Sequence, residues 1–442
     1  MTTRPFYSWG RLRSASAETA PYHWIDQSLP VSGNGELLAF GLGRSYGDSC
    51  QLEGGKMISS WALDRLLAFD ESTGELTAEG GVTFDAILRF CVPRGWFLPT
   101  TPGTRFVTLG GAIANDVHGK NHHLVGTIGH HVTSLQLLRS DGTRLDCAPG
   151  KNEDWLRATI GGLGLTGLIT KATLRLSRIR TAWIDVEYER FAGVPAFNAL
   201  TEKSAATHEH TVAWLDCLGS GSSFARGIFM RGNSAAEAPR GTKNPLIPHS
   251  APKLDVPINF PSFTLNQLTV KAFNTLYYAR ASGGSKRFQQ HYAPFFYPLD
   301  GVNRWNRIYG KAGFFQYQCV IPRAAGADPM EEILRRIARS GQASFLAVLK
   351  VFGDQAPPGL LSFPRAGMTL ALDFPNRGAS TLALFDDLDA IVRAAGGRLY
   401  PAKDARMKPE DFHHGYPELE KFRAYLDPAF SSDFWKRMHR PS

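Results

Sequence analysis

The sequence predicts an α+β protein of two domains, and three observations predict it. The chain has 442 residues, 43% apolar and 11% aromatic, which is more than one ordinary core holds and is the composition of a folded protein. Two glycine loops, at 41–48 and 103–111, bracket a short alternation of strand-like and helical pieces. Residues 314–400 then carry a β-α-β-β-α pattern, a split unit that places both helices on one face of an antiparallel sheet. The composition changes near Thr181, where Gly/Ser runs and a Pro-rich stretch (239–261) replace periodic segments, so the boundary is placed there.

In order, an aromatic and basic lead-in with Trp9 and Trp24 precedes the apolar run Leu37–Phe40. That run ends in Gly41-Leu42-Gly43-Arg44-Ser45-Tyr46-Gly47-Asp48. Three glycines in seven positions make a phosphate-binding turn or a hairpin tip. Strand-like pieces at Leu67–Phe69 and Leu76–Glu79, helical spacing over Phe84–Cys91 and the run Gly95-Trp96-Phe97-Leu98 form a small α+β unit. It leads into PGTRFVTLGGAIANDVHGKNHH at 102–123. Gly110 and Gly111 lack a Cβ, so backbone N–H groups there can approach a ligand, in a concavity suited to a pyrophosphate. His118, Lys120, His122 and His123 bring titratable groups close to that cradle, as a redox centre with a polar substrate needs. Alone, the stretch is equally a Gly-rich turn before a solvated basic loop. The first glycine loop favours the floor of a flavin site.

Val132–Arg139 with a turn at Asp141-Gly142 reads as a hairpin, and Asp154–Ile160 as a short helix. Gly162 to Gly167 spells G-x-G-x-x-G, but a helical pattern precedes it and strand-like Leu168–Leu176 follows, the reverse of a nicotinamide-binding unit. Beyond 181, Val270–Phe288 mixes Leu276, Tyr277 and Tyr278 with Lys271, Arg280, Lys286 and Arg287. It is a membrane-surface or lid element, or a helix packing on its own domain. Phe314–Ile321 alternates as a strand. Asp328 is expected to cap a helix, with Pro329 in its first turn, Glu331 three residues on, and Ile333, Leu334 and Ile337 inward up to Gly341. Strands Phe345–Phe352 and Met368–Phe374 follow, then a helix capped by Ser380, with Leu384, Leu388 and Ile391 inward and Gly396 as its stop. A last strand is expected at Arg398–Tyr400. Period-2 geometry puts Gln316 and Gln318 on one face, and likewise Thr369, Ala371 and Asp373. Lys403 sits in the charged turn after the last strand.

A net charge of +9, from 49 basic and 40 acidic residues, fits an anionic ligand or an anionic membrane surface. No block of like charge, RNP-like sequence or finger spacing points to nucleic acid, and none is expected as a partner. Five scattered cysteines (Cys50, Cys91, Cys147, Cys217, Cys319), never paired as C-x-x-C, argue against a disulfide framework or structural zinc and for a reducing compartment. There is no signal-peptide core and no run of about 18 apolar residues, so a cytoplasmic protein, soluble or peripheral to a membrane, is expected. Five of thirteen histidines (His118, His122, His123, His130, His131) share one window, as a metallohydrolase would use, but no acidic set at ligand spacing accompanies them. No metal is expected.

Six motifs in order, GLGRSYGD (41–48), TPGTRFVTLGGAIANDVHGKNHH (101–123), GGLGLTG (161–167), WNRIYGKAGFFQYQCVIP (305–322), LDFP (372–375) and GGRLYPAKDAR (396–406), resemble the decaprenylphosphoryl-ribose 2′-oxidase family. That family is of the vanillyl-alcohol-oxidase type of flavoprotein, and the resemblance extends over nearly the whole chain. It implies a PCMH-type FAD-binding domain made of residues 1–181 and a C-terminal return at 398–442, with an inserted antiparallel-sheet substrate domain at 182–397. It implies FAD held against Gly41, Leu42, Gly43, Arg44, Ser45, Tyr46, Gly47 and Asp48 and against Thr108, Leu109, Gly110 and Gly111. Gly103, Asn115, His118, Ile169, Tyr400 and Lys403 are also implied near the cofactor, and Tyr46, His118, Lys120, Gln316, Gln318, Lys350 and Lys403 near the isoalloxazine and sugar. Relatives that link FAD covalently use a histidine or similar nucleophile in the first glycine loop. None stands between Gly41 and Ser49, and Arg44 occupies about that place, so noncovalent FAD is expected.

The implied reaction is oxidation of the 2′-hydroxyl of a polyprenyl-phosphoryl ribose to a ketone, the first half of an epimerisation to the arabinose sugar that a short-chain dehydrogenase completes. Such chemistry needs a proton acceptor and a cation near the flavin. Lys403 is the candidate cation, and His118 or Tyr46 handles the proton. Gln316 and Gln318 would orient sugar hydroxyls, with Lys350 and Thr369 beside them, and Lys120 or its neighbours would meet the phosphate. An alditol or sugar-lactone oxidase with a small soluble substrate is the alternative on the same fold. The chain departs from the family pattern at Ala371, where a cysteine is common, at Thr369, where asparagine is usual, and at Phe296, where tyrosine is usual.

Overall fold

A computed structural model describes residues 3–30, 35–281, 284–342 and 345–439. Three sheets carry the fold. In a four-stranded sheet, Thr3–Tyr7 pairs antiparallel with Ser14–Pro21, while Lys56–Ser59 runs parallel to both Ser14–Pro21 and Leu37–Phe40. A five-stranded antiparallel sheet takes Leu66–Asp70, Glu75–Glu79, Leu168–Arg175, Val132–Leu138 and Arg144–Cys147 in that spatial order. Helix Phe84–Cys91, capped by the Thr83 side chain, buries Phe84, Ile87, Leu88 and Cys91 in the core over that sheet.

The third sheet has eight antiparallel strands, in the order Lys286–His291, Trp183–Ala192, Arg226–Ser234, His210–Leu215, Ala347–Phe352, Gly367–Pro375, Phe314–Pro322 and Arg398–Leu399. The expected split unit forms its second half. Helices Asp328–Ser340 and Ala379–Ala394 cover one face, burying Met330, Ile333, Leu334, Ile337, Leu384 and Leu388 with Tyr317, Cys319 and Leu370 of the strands. Gln316 and Gln318 alternate to the opposite face, which period-2 geometry requires once their neighbours are core. The α+β fold class expected from the sequence is the one observed.

Four local expectations are corrected. Asp328 is not a cap: the N-cap is Ala327 without a side-chain bond, and Asp328 and Glu331 lie in the first turn, where their charge still opposes the helix dipole. Ser380 is likewise inside its helix, which starts after Gly378 at φ +64°, and its hydroxyl bonds back to the Arg377 carbonyl. Val392 is the buried residue near that helix end, whereas Ile391 is half-buried. Residues 181–313, expected to hold few periodic segments, supply four of the eight strands. His210–Leu215 is buried at every position, so it never shows the alternation by which strands are recognised.

Candidate active site

The two glycine loops meet because Gly41 carries no side chain where the Thr108 side chain of the second loop approaches it. A Cβ on Gly41 would lie 2.5 Å from Thr108 Oγ1, and one on Gly111 2.9 Å from the same atom. Thr108 accepts from the Gly111 N–H at 3.2 Å and so starts helix Leu109–Ala114, while the Gly110 N–H donates to the Gly80 carbonyl at 2.7 Å. In the first loop Gly43 takes φ +59°. The loop is pinned at its far end by Trp9 N–H to the Ser45 carbonyl (2.8 Å) and Tyr46 N–H to the Ala402 carbonyl (2.9 Å). Among the described residues, the N–H groups of Leu42, Gly43, Arg44 and Ser45 have no protein acceptor. The Arg44 guanidinium lies 4.0 Å over the Trp9 ring, and its buried Nε also has no hydrogen-bond partner. A run of free N–H groups beside an unsatisfied cation is a cradle for a diphosphate, so these residues fit the cofactor that the sequence implies.

One deep cleft runs from this cradle to the inner face of the eight-stranded sheet. Of the expected residues it is lined by Gly41, Leu42, Gly43, Arg44, Ser45, Tyr46, Gly103, Thr108, Gly110, Gly111, Asn115, His118, Lys120, Ile169, Gln316, Gln318, Lys350, Tyr400 and Lys403. Four others lie outside the lining. Gly47 backs onto the Asp404 carbonyl, where a Cβ would stand 1.7 Å away. Asp48 is ion-paired to Arg437 at 2.8 Å. Leu109 is fully buried in the core of the smaller unit. Thr369 sits behind Gln318, accepting from its Nε2 at 3.3 Å. The loop 161–167 brings Leu163, Gly164 and Gly167 to the cleft, and a Cβ on Gly167 would lie 2.6 Å from the Leu138 carbonyl of the neighbouring strand. Sequence reasoning missed Trp305, Leu346, Val348 and Val212, apolar residues that line the cleft.

At the sheet end, polar groups converge. Lys403 Nζ lies 4.1 Å over the Tyr46 ring. Burial lowers its pKa to about 8, against the pull of Asp373. Asp373, fully buried and pushed up to about 7 by that burial, accepts from Gln316 Nε2 at 2.6 Å and from the Tyr309 hydroxyl at 3.1 Å. It fixes Gln316, a role the sequence left open. Burial holds the Tyr46 phenol well above its ordinary range, so Tyr46 remains a neutral donor. Lys350 lies 3.2 Å from His118 Nδ1, and burial, with Lys403 second, lowers it to about 7. Burial, then Lys350, holds His118 well below its usual value, so the ring is neutral. Its tautomer follows from the bonds behind it. The Thr369 hydroxyl donates to the Cys319 carbonyl at 2.9 Å, so its oxygen accepts from Gln318 Nε2. That amide nitrogen also donates to His118 Nε2 at 3.0 Å, which leaves the ring proton on Nδ1, facing Lys350. Lys120 is drawn aside: its ammonium donates to the Phe295 carbonyl and lies 4.7 Å from that ring's centre, and burial brings its pKa to about 7. The remaining histidines diverge. His122 accepts from the Gly353 N–H, His123 meets the His208 carbonyl and His131 the Val125 carbonyl.

Comparison with known proteins agrees with this geometry. A family model described as an FAD binding domain matches residues 32–148. A decaprenylphosphoryl-β-D-ribose oxidase of Mycolicibacterium smegmatis is 36% identical over 99% of this chain and 98% of its own length. An uncharacterised protein encoded in the mprA 5′ region of Streptomyces coelicolor is 33% identical over 81% of this chain and 100% of its own. An L-gulonolactone oxidase of Mus musculus is 29% identical over 32% of each chain, and that match stops at about a third of the length. With a glycine cradle suited to FAD, a cation-rich sheet face above it and a full-length relative, the chain belongs to the decaprenylphosphoryl-β-D-ribose oxidase family of FAD-binding oxidoreductases.

Proposed function

We propose that this enzyme oxidises the 2′-hydroxyl of a polyprenyl-phosphoryl-β-D-ribose to the 2′-keto sugar. The observation that carries the reading is the convergence of Gln316, Gln318, His118, Lys350 and Lys403 on one wall of the FAD cleft. The reading divides the chain into an FAD-binding part, 1–181 with 398–442, and a substrate part, 182–397. The cofactor, when bound, supplies the electron acceptor for the alcohol carbon. Arg44 and the N–H groups of 42–45 hold its diphosphate. Lys403 offsets the negative charge that builds up at the cofactor, and burial makes that one charge count for more than it would in water. Gln316, held by Asp373, and Gln318, held by Thr369, orient the sugar hydroxyls. His118 and Lys350 share the proton that leaves the hydroxyl: with Lys350 neutral, the pair has room for one. Lys120 meets the phosphate once it leaves the Phe295 carbonyl.

The cofactor is held noncovalently on this reading. Cys50 is the cysteine lining the cleft, and burial pushes its thiol up to about 12, which leaves it unreactive. The keto product is then reduced by a short-chain dehydrogenase, giving the arabinose epimer. The deciding experiment follows the visible flavin spectrum. Acid precipitation should move the flavin to the supernatant, and anaerobic addition of a polyprenyl-phosphoryl ribose to the holoenzyme should bleach it. Bleaching by an alditol or sugar lactone, and not by the phosphoryl ribose, would assign a small soluble substrate.

A further inference from the structure

Helix Gln267–Ala279 faces water with the wrong side chains for a soluble surface. Val270 and Asn274 are buried on its inner face, Asn274 donating to Asp216 at 2.7 Å, and Tyr277 packs 4.7 Å from Trp214. The outer face carries Leu268, Ala272 and Leu276 at helical spacing, with Leu268 79% and Leu276 72% exposed. Just upstream, Phe263 is 75% and Ile258 68% exposed. Solitary exposed apolar residues are ordinary, but large ones repeating along one helix face and the segment leading into it mark an interaction surface. The charge of the segment is one-sided: from Val256 to Leu299 there is no aspartate or glutamate, whereas Lys271, Arg280, Lys286 and Arg287 are present and exposed. The surface also adjoins the cleft. Leu265, which precedes the helix, packs on the cluster of Tyr46, Trp305, Tyr309 and Phe314, and Tyr46 and Trp305 line the cleft.

We propose that this face docks on an anionic phospholipid bilayer, with Phe263, Leu268 and Leu276 inserted among the acyl chains and Lys271 and Arg280 at the headgroups. Apolar side chains flanked by cations, on a helix far too short to span, are what an interfacial helix requires. No helix of the described residues is long and apolar enough to cross a membrane. A second copy docked face to face would bring two sets of cations together with no acidic partner in the segment, which opposes self-association. Docking places the cleft near the membrane plane, where a lipid-linked sugar resides; that consequence, but not the docking itself, rests on the proposed substrate.

The test uses the full-length holoenzyme sedimented with vesicles of phosphatidylcholine alone or mixed with phosphatidylglycerol. Binding is expected to the mixed vesicles, to weaken with salt, and to fall at least about tenfold in Phe263→Ser/Leu268→Ser/Leu276→Ser and, separately, in Lys271→Glu/Arg280→Glu. Both variants should keep their flavin spectrum and their turnover of a water-soluble short-chain phosphoryl ribose, while turnover of a long-chain substrate held in vesicles drops. Wild-type protein that fails to sediment, or variants that bind as wild type does, would overturn the proposal. A dimer in light scattering that the triple serine variant converts to a monomer would assign the face to a second copy instead. Bleaching by the soluble substrate is read without vesicles, so a failure of docking and a failure of the proposed reaction are separate results.

Discussion

Lys403 and Lys350 are both half-buried lysines lining one cleft, yet they are expected to act in opposite protonation states. Lys403 serves as a cation, so replacing it with methionine should lower kcat by roughly a hundredfold or more, the size of loss typical for one preorganised charge, while flavin remains bound through the N–H groups of the glycine cradle. Rapid-mixing measurement of flavin reduction checks this. A variant that reduces flavin at the wild-type rate removes Lys403 from the chemistry. The pH dependence follows with its sign. Lys350 must be neutral to take the proton shared with His118, so kcat/KM should rise as pH passes about 7. Lys403 must be charged, so kcat/KM should fall as pH passes about 8. Lys120 and Asp373 also titrate near 7, so the rising limb is a property of the group of residues. The falling limb belongs to Lys403 and should move out of range in Lys403→Arg, whose guanidinium stays charged.

At the scale of elements, the legible parts were those with local punctuation. The split β-α-β-β-α unit announced itself through Gly341 and Gly396, which end their helices at φ +62° and +67°, and through alternation in Phe314–Pro322, one face of which is core and the other cleft. The strand His210–Leu215 was not legible, because burial on both faces erases the period that separates strand from loop. At the site, the glycine loops, both glutamines and Lys403 could be read from motif and register, whereas the support of Gln316 by Asp373 and of Gln318 by Thr369 depends on strand pairings set by the folded sheet. The loop contact offers its own test. Gly41→Ala would place a methyl 2.5 Å from Thr108 Oγ1, so the loops should separate and flavin occupancy on purification should fall severalfold, with the protein still folded by circular dichroism. Thr108→Ala added to it removes the clashing atom and should restore much of the occupancy, at a cost of about 1 kcal/mol for the lost helix cap. No recovery in the double variant would mean that the clash with Thr108 Oγ1 is not what a methyl at Gly41 disturbs.

For the whole molecule, the helix Asp433–Met438 packs on the turn Asp48–Cys50 that ends the first glycine loop. Arg437, 23% exposed at its side chain, pairs with Asp48 at 2.8 Å and with Asp404 at 2.9 Å, two carboxylates that are each nearly buried. Asp48 ends the first glycine loop and Asp404 follows Lys403, so one guanidinium ties the diphosphate cradle to the catalytic turn. Gly47 backs directly onto the Asp404 carbonyl at the same junction. Removing the cation leaves the nearly buried Asp404 carboxylate without its ion pair and Asp48 with Arg13 alone, at 3.7 Å, which costs more than the ion pairs themselves contribute. Arg437→Met should therefore lower stability by about 3 kcal/mol, seen as a lower Tm, and should weaken FAD binding in the same variant because both walls of the cradle lose their anchor. The two effects can be separated by mass action: excess FAD stabilises wild-type protein by about 2.7 kcal/mol at a hundred times its Kd, and the same FAD concentration should stabilise Arg437→Met by less. If instead the variant loses stability while its FAD-dependent gain in Tm equals that of wild type, the C-terminal helix supports the fold without shaping the cofactor site, and the two loops keep their spacing through Gly41, Gly47 and Thr108 alone.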